Sequence, residues 1–179
     1  MSKKVKLLGT CAALCLSLAL MVFGVYAAGL SAFEISSNVT FTASDDVYGK
    51  FEASVKLNDG TPTSVTPYEV FADGSATTGA ATGNTLADQT LTAVDDTVVY
   101  EFKFTNNSRF DVTVTVTGTQ PTSQTINGVE TITVTQAQTF TVKSGEANST
   151  TLTVKLNSLA ADTFAGNIDL TLTAAKTSV

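Results

Sequence analysis

The side chains of this sequence that could carry out chemistry are almost all carboxylates. The chain contains sixteen Asp and Glu residues and ten Lys and Arg residues, but no histidine. A His-based zinc site and a Ser-His-Asp triad both need an imidazole, so the sequence excludes both. A phosphate-binding loop would need the pattern GxxxxGKS or GxxxxGKT between a strand and a helix, and this pattern does not occur.

Acidic residues alone can hydrolyse a glycosidic bond when two carboxylates face each other across a sugar-binding cleft. Such a cleft also needs aromatic side chains that stack against the sugar, whereas the aromatic residues of this chain fall mainly on inward strand positions. We therefore predict no catalytic residue and no cofactor-binding residue, and we predict that the protein is not an enzyme.

Several aspartates stand at predicted strand boundaries or in loops. They are the pairs Asp45-Asp46 and Asp95-Asp96, together with Asp59, Asp73 and Asp88 in one long loop. Calcium prefers clustered oxygen ligands, so a calcium site in a loop is one interpretation. The spacing does not match an EF-hand. Solvated turn residues are the favoured interpretation, and we predict no metal ligand.

Four lysines lie on predicted strands: Lys50, Lys56, Lys103 and Lys155. Some surface sandwiches carry a Lys–Asn isopeptide bond, which requires a lysine buried in the core beside a carboxylic acid. Each of these lysines stands at a position opposite in parity to the apolar residues of its strand, which places it on the outward face. We therefore predict solvent-facing lysines and no isopeptide crosslink.

The first 27 residues have the layout of a signal peptide. Three lysines precede an apolar run from Leu7 to Val25, and no acidic residue occurs before Glu34. Small side chains follow where a signal peptidase would cut, which predicts cleavage between Ala27 and Ala28. The alternative is an uncleaved anchor, because the apolar run is long enough to cross a bilayer.

Both cysteines, Cys11 and Cys15, lie inside this apolar run. Cleavage after Ala27 would leave no cysteine, and therefore no disulfide, thiolate metal site or cysteine nucleophile. It would also remove three lysines and leave seven basic and sixteen acidic residues, a net charge of −9. An acidic surface repels nucleic acid and anionic lipid, so we predict no nucleic-acid partner and membrane contact only through an uncleaved leader.

From Phe33 onward the dominant pattern is alternation with a period of two, which a strand needs to bury one face. The alternation recurs in eight or nine segments rich in β-branched and aromatic residues, and no stretch has a helical period. The pattern predicts that residues 28–179, after a helical leader, form an Ig-like or jelly-roll β-sandwich of about eight or nine antiparallel strands. A barrel is the alternative.

Turn signals divide these segments. Asn106-Asn107-Ser108 separates two alternating stretches, so residues 97–117 are predicted to form a hairpin, and Asn127-Gly128 predicts a second tight turn. Residues 58–92 are rich in Gly, Thr, Ala and Asp, and are predicted to form a long loop with one short strand at 68–71. Tyr68 and Phe71 make this loop a candidate ligand-binding site.

Three segments carry a resemblance to a known family: FGVYAAGLSAFEISSNVTFTA, which includes the end of the leader, VVYEFKFTNNSRFDVTVTV, and TTLTVKLNSLAADTFAGNIDLTLTA. Their layout resembles exported Ig-like sandwiches of Gram-positive bacteria, in particular the camelysin/TasA-type group of biofilm-matrix and spore-associated proteins. Members of that group form extracellular fibres, so the resemblance implies assembly by strand donation. Some members are named as metallopeptidases, but this sequence offers no histidine ligand for such an activity.

The candidate donor is the alternating strand near the terminus that cleavage would create, with Phe33, Ile35, Val39 and Phe41 on one face. Such a strand can pair with the open edge of a neighbouring sheet and fill that neighbour's core with its apolar face. The alternative is that it is the first strand of its own sandwich. Both interpretations hold if the strand is exchanged between copies.

These observations predict a secreted or cell-surface protein of a Gram-positive bacterium with a structural, non-catalytic function. It would act as a fibre or matrix subunit, and its partners would be further copies of itself or other cell-surface and matrix components. The alternative is an extracellular module that binds a glycan or a protein through residues 58–92.

Overall fold

Alternation of apolar and polar side chains decides which face of each strand is buried. The computed structural model describes residues 33–44, 46–71, 79–159 and 166–178, and in these residues two sheets pack face to face. The prediction of an all-β sandwich is therefore confirmed.

The predicted leader and its cleavage site at Ala27 and Ala28 lie outside the described residues. Within the described residues, no helix is long and apolar enough to cross a membrane.

The described residues contain twelve strands, more than the eight or nine that the alternation predicts. The strands are β1 (Phe33–Ala43), β2 (Gly49–Leu57), β3 (Thr63–Ser64), β4 (Tyr68–Val70), β5 (Asn84–Leu91), β6 (Thr97–Asn106), β7 (Val112–Thr119), β8 (Gln124–Ile126), β9 (Val129–Thr135), β10 (Phe140–Val142), β11 (Ala147–Leu156) and β12 (Ile168–Lys176).

The strands form a five-stranded and a seven-stranded sheet. The five-stranded sheet has the order β10–β7–β12–β1–β5. The seven-stranded sheet has the order β3–β2–β6–β11–β9–β8, and β4 also pairs with β2. Most connections therefore lead from one sheet to the other, so the domain is held together largely by contacts between distant parts of the chain.

The inward side chains of both sheets meet in one hydrophobic core. Among its largest fully buried members are Ile35, Phe51, Tyr100, Phe102 and Leu170. Full burial of one such side chain stabilises the fold by about 1.5–3 kcal/mol. Because the described residues contain no cysteine, no disulfide adds to this core within them.

β1 lies inside the five-stranded sheet, parallel to β12 on one side and antiparallel to β5 on the other. The parallel pair extends from Ser37 opposite Ile168 to Ala43 opposite Ala174. The prediction of a wholly antiparallel sandwich is wrong for this pair. Parallel neighbours need a crossover connection, and here ten other strands lie between the two in the sequence.

The predicted hairpin over residues 97–117 is also wrong. β6 pairs with β2 and β11 in one sheet, whereas β7 pairs with β10 and β12 in the other. The fully buried side chain of Asn106 donates hydrogen bonds to the carbonyl oxygens of Phe110 and Val142, so the chain crosses the sandwich after β6 and does not fold back. Alternation identifies the apolar face of a strand but not the sheet that the strand joins.

Residues 58–92 hold more strand structure than predicted. β3 and β4 both pair with β2, and β5 lies at an edge of the five-stranded sheet beside β1. A two-residue step on β1, from Ile35 to Ser37, is matched by a three-residue step on β5, which is a β-bulge. The two buried leucines of β5, Leu86 and Leu91, are consequently five positions apart, and a search for a period of two does not find them.

The tight turn at Asn127-Gly128 is confirmed. It joins β8 to β9, and its two residues have φ values of 51° and 79°. Asn and Gly tolerate this left-handed region better than other residues, which is why the dipeptide is typical of short hairpins.

Candidate functional site

The four residues of the candidate donor strand lie in the core of their own chain. Phe33, Ile35, Val39 and Phe41 occupy the inward face of β1 and are at most 2% exposed. Their strand has a backbone partner on each side, β12 and β5. In this arrangement β1 is a strand of its own sandwich, so donation of β1 to another copy has to be an exchange.

The two aromatic residues of the candidate ligand loop do not form a common surface. Tyr68 packs inward, with its ring centroid 6.2 Å from that of Phe41 and 6.3 Å from that of Phe51. The ring of Phe51 in turn lies 4.6 Å from that of Phe104. Tyr68 therefore extends the aromatic core, whereas Phe71 is 41% exposed and presents its ring to solvent.

A surface cavity of about 270 Å³ lies beside Phe71. Register brings its polar residues together, because Lys50 on β2 lies opposite Glu69 on β4 and opposite Thr105 on β6. Asn107 follows directly after β6 and also lines the cavity. The residues that line the cavity thus include a phenylalanine, a glutamate, a lysine, a threonine and an asparagine.

Gly49, at the start of β2, also lines this cavity and allows a close approach of two strands. A Cβ atom at this position would overlap the ring of Phe104 and the carbonyl oxygen of Thr105. The absence of a side chain at Gly49 therefore lets the Phe104 ring lie over the backbone of β2. The start of β2 therefore contributes both to the packing of Phe104 in the core and to the lining of the cavity.

The charges around the cavity are unevenly paired. Lys50 Nζ lies 3.0 Å from Glu52 Oε1, and Lys103 Nζ lies 3.2 Å from Oε2 of the same carboxylate. Glu69, although opposite Lys50 in register, takes part in no ion pair within the described residues. Two lysines therefore share Glu52, and neither lies within ion-pair distance of Glu69.

The outer face of the seven-stranded sheet carries the lysines that the sequence places outward. The prediction is confirmed for Lys50, Lys103 and Lys155, whose side chains are 32–44% exposed and reach surface carboxylates. Partial burial acts to raise the pKa of Glu52, but hydrogen bonds from Lys50 and Lys103 and their positive charges outweigh it and lower that pKa. Exposed pairs of this kind stabilise a fold by only about 0–1 kcal/mol each.

A buried polar junction joins the two sheets at the end of the sandwich where β2 begins. The Nδ2 of Asn106 lies 2.8 Å from the carbonyl oxygen of Phe110 and 3.1 Å from that of Val142, and its Oδ1 accepts a hydrogen bond from the backbone N–H of Ser108. Ser108 Oγ in turn bonds to the backbone of Tyr48. Every polar atom of the Asn106 side chain is satisfied, so this junction is structural and offers no free group to a ligand.

A second polar cluster lies at the opposite end of β2 and involves Asp96. Its carboxylate accepts hydrogen bonds from the backbone N–H groups of Thr92 and Ala93, both at 2.8 Å, and from Asn58 Nδ2 at 2.9 Å. The hydrogen bond from Asn58, followed by the two backbone bonds, lowers the pKa of Asp96.

Among the described residues no group of three or more His, Cys, Asp and Glu side chains is placed to hold a metal ion.

One aromatic side chain of the core carries an unused polar atom. The hydroxyl of Tyr100 is buried and has no hydrogen-bond partner within the described residues. Burial raises the pKa of Tyr100, and the negative charge of Asp88 adds to the effect. The hydroxyl is therefore neutral throughout the physiological range and has no route to an external substrate.

The sequence identifies Phe71 as a site residue, but not Glu69, Thr105 or Asn107. Alternation places such residues on outward positions, yet their proximity depends on how β2 aligns with β4 and β6. No spacing within the sequence encodes that alignment, so no sequence signal could have brought these residues together.

No family model matches the chain, and no curated protein is significantly similar to it. The position of β1 and the chemistry of the cavity beside Phe71 are therefore the features on which a functional interpretation depends.

Proposed function

We propose that this chain is an exported, non-catalytic structural protein of the cell surface or extracellular matrix, and that copies of it assemble by exchange of β1. The signal-like leader and the resemblance to fibre-forming, biofilm-associated sandwiches support export and assembly. The observation that carries the proposal is the position of β1, which is inserted between β12 and β5 with four large apolar side chains in the core.

Exchange of β1 keeps the contacts of the closed sandwich. If β1 leaves its sheet, it opens a slot between β12 and β5 that has unpaired backbone groups on both sides and an apolar floor. The β1 of a second copy has the same side chains and fits the slot in the same register. Exchange of identical elements is a route to oligomers that requires no new interface chemistry.

The hinge for such an exchange is the connection between β1 and β2. Ser44 N donates to the carbonyl oxygen of Ala174, and Val47 N donates to the carbonyl oxygen of Ser44, so a short turn holds the crossing in its closed form. Short turns that hold a crossing in one conformation favour swapping when they straighten. Straightening this turn would direct β1 away from its own domain and toward the next copy.

The proposal is tested by tying β1 to its own sheet. Thr40 and Thr171 lie opposite each other on β1 and β12. Neighbouring strands are about 4.8 Å apart, which is within the range of Cα separations that a disulfide spans. In the full chain carrying Cys11→Ser and Cys15→Ser, the double substitution Thr40→Cys and Thr171→Cys is expected to hold the protein monomeric under oxidising conditions. Reduction is expected to restore assembly, as measured by light scattering and electron microscopy.

A matched control uses the other neighbour of Thr171. Thr117 lies opposite Thr171 on β7, so Thr117→Cys with Thr171→Cys crosslinks β7 to β12 and leaves β1 free. This variant is expected to assemble with and without reductant. Undiminished assembly of the oxidised β1–β12 crosslink would contradict exchange of β1, and a native chain that stays monomeric at every concentration would contradict assembly itself.

The second candidate function is that of a module that binds a glycan or a protein, and the cavity beside the exposed ring of Phe71 favours it. Pockets that combine an aromatic wall with a few polar groups are typical ligand sites. The informative substitution is Phe71→Ala, because Tyr68 packs against Phe41 and Phe51 and its removal would damage the core. Retention of ligand by Phe71→Ala would contradict this candidate.

A further inference from the structure

We propose that the cavity beside Phe71 binds an amino sugar unit of an extracellular polysaccharide, with the sugar ammonium group on Glu69. This inference rests on the second candidate function, ligand binding, and is independent of strand exchange. It assigns a role to four of the residues that line the cavity: Glu69, Phe71, Thr105 and Asn107.

Glu69 sets the charge of the ligand. Its natural partner across the strand pair is Lys50, but the ammonium group of Lys50 lies 3.0 Å from Glu52. Glu69 is left without an ion pair among the described residues, in a chain with a net charge of −6. An open carboxylate on an acidic protein attracts cations and repels phosphates, sulfates and acidic sugars.

Phe71 sets the shape of the ligand. Its ring is 41% exposed and carries no polar atom, so it can bind only through its face or edge. One face of a pyranose ring is built of C–H groups and packs well on such a surface, while its hydroxyl groups point to the rim. Thr105 and Asn107 line the same cavity and carry a hydroxyl and an amide, which can both donate and accept hydrogen bonds.

A sugar that packs on Phe71 and also places a positive charge beside Glu69 must carry a free amine and not an acetylated one. An ammonium group makes a charge-assisted hydrogen bond to a carboxylate, which is about twice as strong as a bond between neutral groups. An acetylated amine would bring a neutral amide against the Glu69 carboxylate, which would then lose water without gaining a countercharge. The cavity of about 270 Å³ is below the range of drug-sized pockets, which begins near 300 Å³, and suits about one sugar ring.

The inference is tested by calorimetry on the full chain with two chemically defined probes. The probes are a tetramer of β-1,4-linked glucosamine and the fully N-acetylated tetramer, compared at a mildly acidic pH at which the amines are protonated. The free amine form is expected to bind at least about tenfold more tightly, because its ammonium group gains a charge-assisted hydrogen bond to Glu69 that the acetylated amine cannot make. Equal binding of the two tetramers would overturn the assignment of Glu69.

Two substitutions separate charge from shape. Glu69→Gln is expected to reduce the preference for the free amine to less than about threefold, and Phe71→Ala is expected to weaken binding of both tetramers by about tenfold or more. The matched controls are Glu130→Gln, an exposed carboxylate on β9, and Val129→Ala, an apolar side chain that is 56% exposed. Controls that lose binding as strongly as the cavity variants would overturn the location of the site.

Competition with oligolysine tests whether the cavity recognises positive charge alone or also the sugar ring. The inference expects oligolysine of equal charge to displace the glucosamine tetramer at least about tenfold less effectively, because lysine side chains lack the ring that packs on Phe71. Equal displacement would overturn the sugar assignment. Binding of some other, neutral glycan that is lost in Phe71→Ala would also overturn it, while leaving the second candidate function in place.

Discussion

The side-chain amide of Asn106 donates a 3.1 Å hydrogen bond to the carbonyl oxygen of Val142, 36 positions further along the chain. Both residues end a strand from which the chain crosses to the opposite sheet, Asn106 at the end of β6 and Val142 at the end of β10. One buried side chain therefore fixes two crossings that the sequence alone does not connect.

Replacement of Asn106 by leucine is expected to be strongly destabilising. Asn106→Leu would remove the side-chain partner of two carbonyl oxygens and one N–H group in a buried site, and a buried group left unpaired costs about 1–3 kcal/mol. A loss of about 3 kcal/mol or more is expected in urea unfolding. The matched control is Asn148→Leu. The Asn148 side chain donates a hydrogen bond to Thr141 and accepts one from the backbone N–H of Ser149, but it is exposed, so water can replace both and a loss below about 1 kcal/mol is expected. Equal losses in the two variants would contradict the role of Asn106.

Asp96 makes the stability of the domain depend on pH in the acid range. Its hydrogen bonds lower its pKa in the folded state, so the unfolded state binds the proton more readily. The stabilisation is therefore complete above the ordinary pKa of an aspartate, near 3.8, and is lost as the pH falls through the lowered pKa of the folded state. The fall in melting temperature at acid pH is expected to be shallower in Asp96→Asn than in the native chain.

The matched control for this effect is Asp59→Asn. Asp59 is exposed and accepts no hydrogen bond from the described residues, so its substitution is expected to leave the acid limb of the stability profile unchanged. Parallel profiles for the native chain and Asp96→Asn would show that the cluster at Asp96 does not sense pH.

Removal of the Tyr100 hydroxyl is expected to leave the free energy of unfolding unchanged or to raise it by about 1 kcal/mol. The phenol group is buried without a hydrogen-bond partner in the described part of the chain, so Tyr100→Phe removes an unpaired polar atom and keeps the packing. Chemical denaturation measures the difference. A loss above about 1 kcal/mol would indicate that the hydroxyl is hydrogen-bonded in solution.

Substitution of Gly49 by alanine is expected to destabilise the end of β2 and to alter the cavity beside Phe71. The new methyl group would overlap the ring of Phe104 and the backbone oxygen of Thr105, and the backbone atom cannot move aside as a flexible side chain can. A loss of about 1–3 kcal/mol, typical of overpacking, is expected. Gly128→Ala is not a suitable control because its φ of 79° adds strain, so Ser54→Ala, on the same strand, serves instead. A stable Gly49→Ala would contradict the tight contact.

The amount of fold that the sequence predicts differs between strands. β6 alternates over its ten residues and β11 over its last five, and the prediction of their inward faces is confirmed by the buried positions of Phe102 and Leu152. β5 escapes detection because its bulge changes the parity between Leu86 and Leu91. Strand pairing escapes detection for a different reason, since the Asn106 hydrogen bonds that send β7 to the other sheet involve Val142, far along the chain.

The candidate site was predictable only in part. The composition of residues 58–92 points to an exposed segment with aromatic residues, and Phe71 indeed lies at the cavity. The spacing also separates it from Tyr68, because residues three positions apart on an extended chain lie on opposite faces, yet the predicted site includes both residues. Lys50 could pair with Glu52 or with Glu69, and only the distances in the structure show that it pairs with Glu52.

The parallel alignment of β1 with β12 has a mechanical consequence. β1 starts at the end of the sandwich where β12 also starts, so tension applied between Phe33 and Lys176 pulls the two strands in opposite directions along their shared ladder. The seven residue pairs of that ladder then bear the load together and do not open one after another. A domain loaded in this shearing direction resists extension far better than one whose terminal strands can be peeled apart.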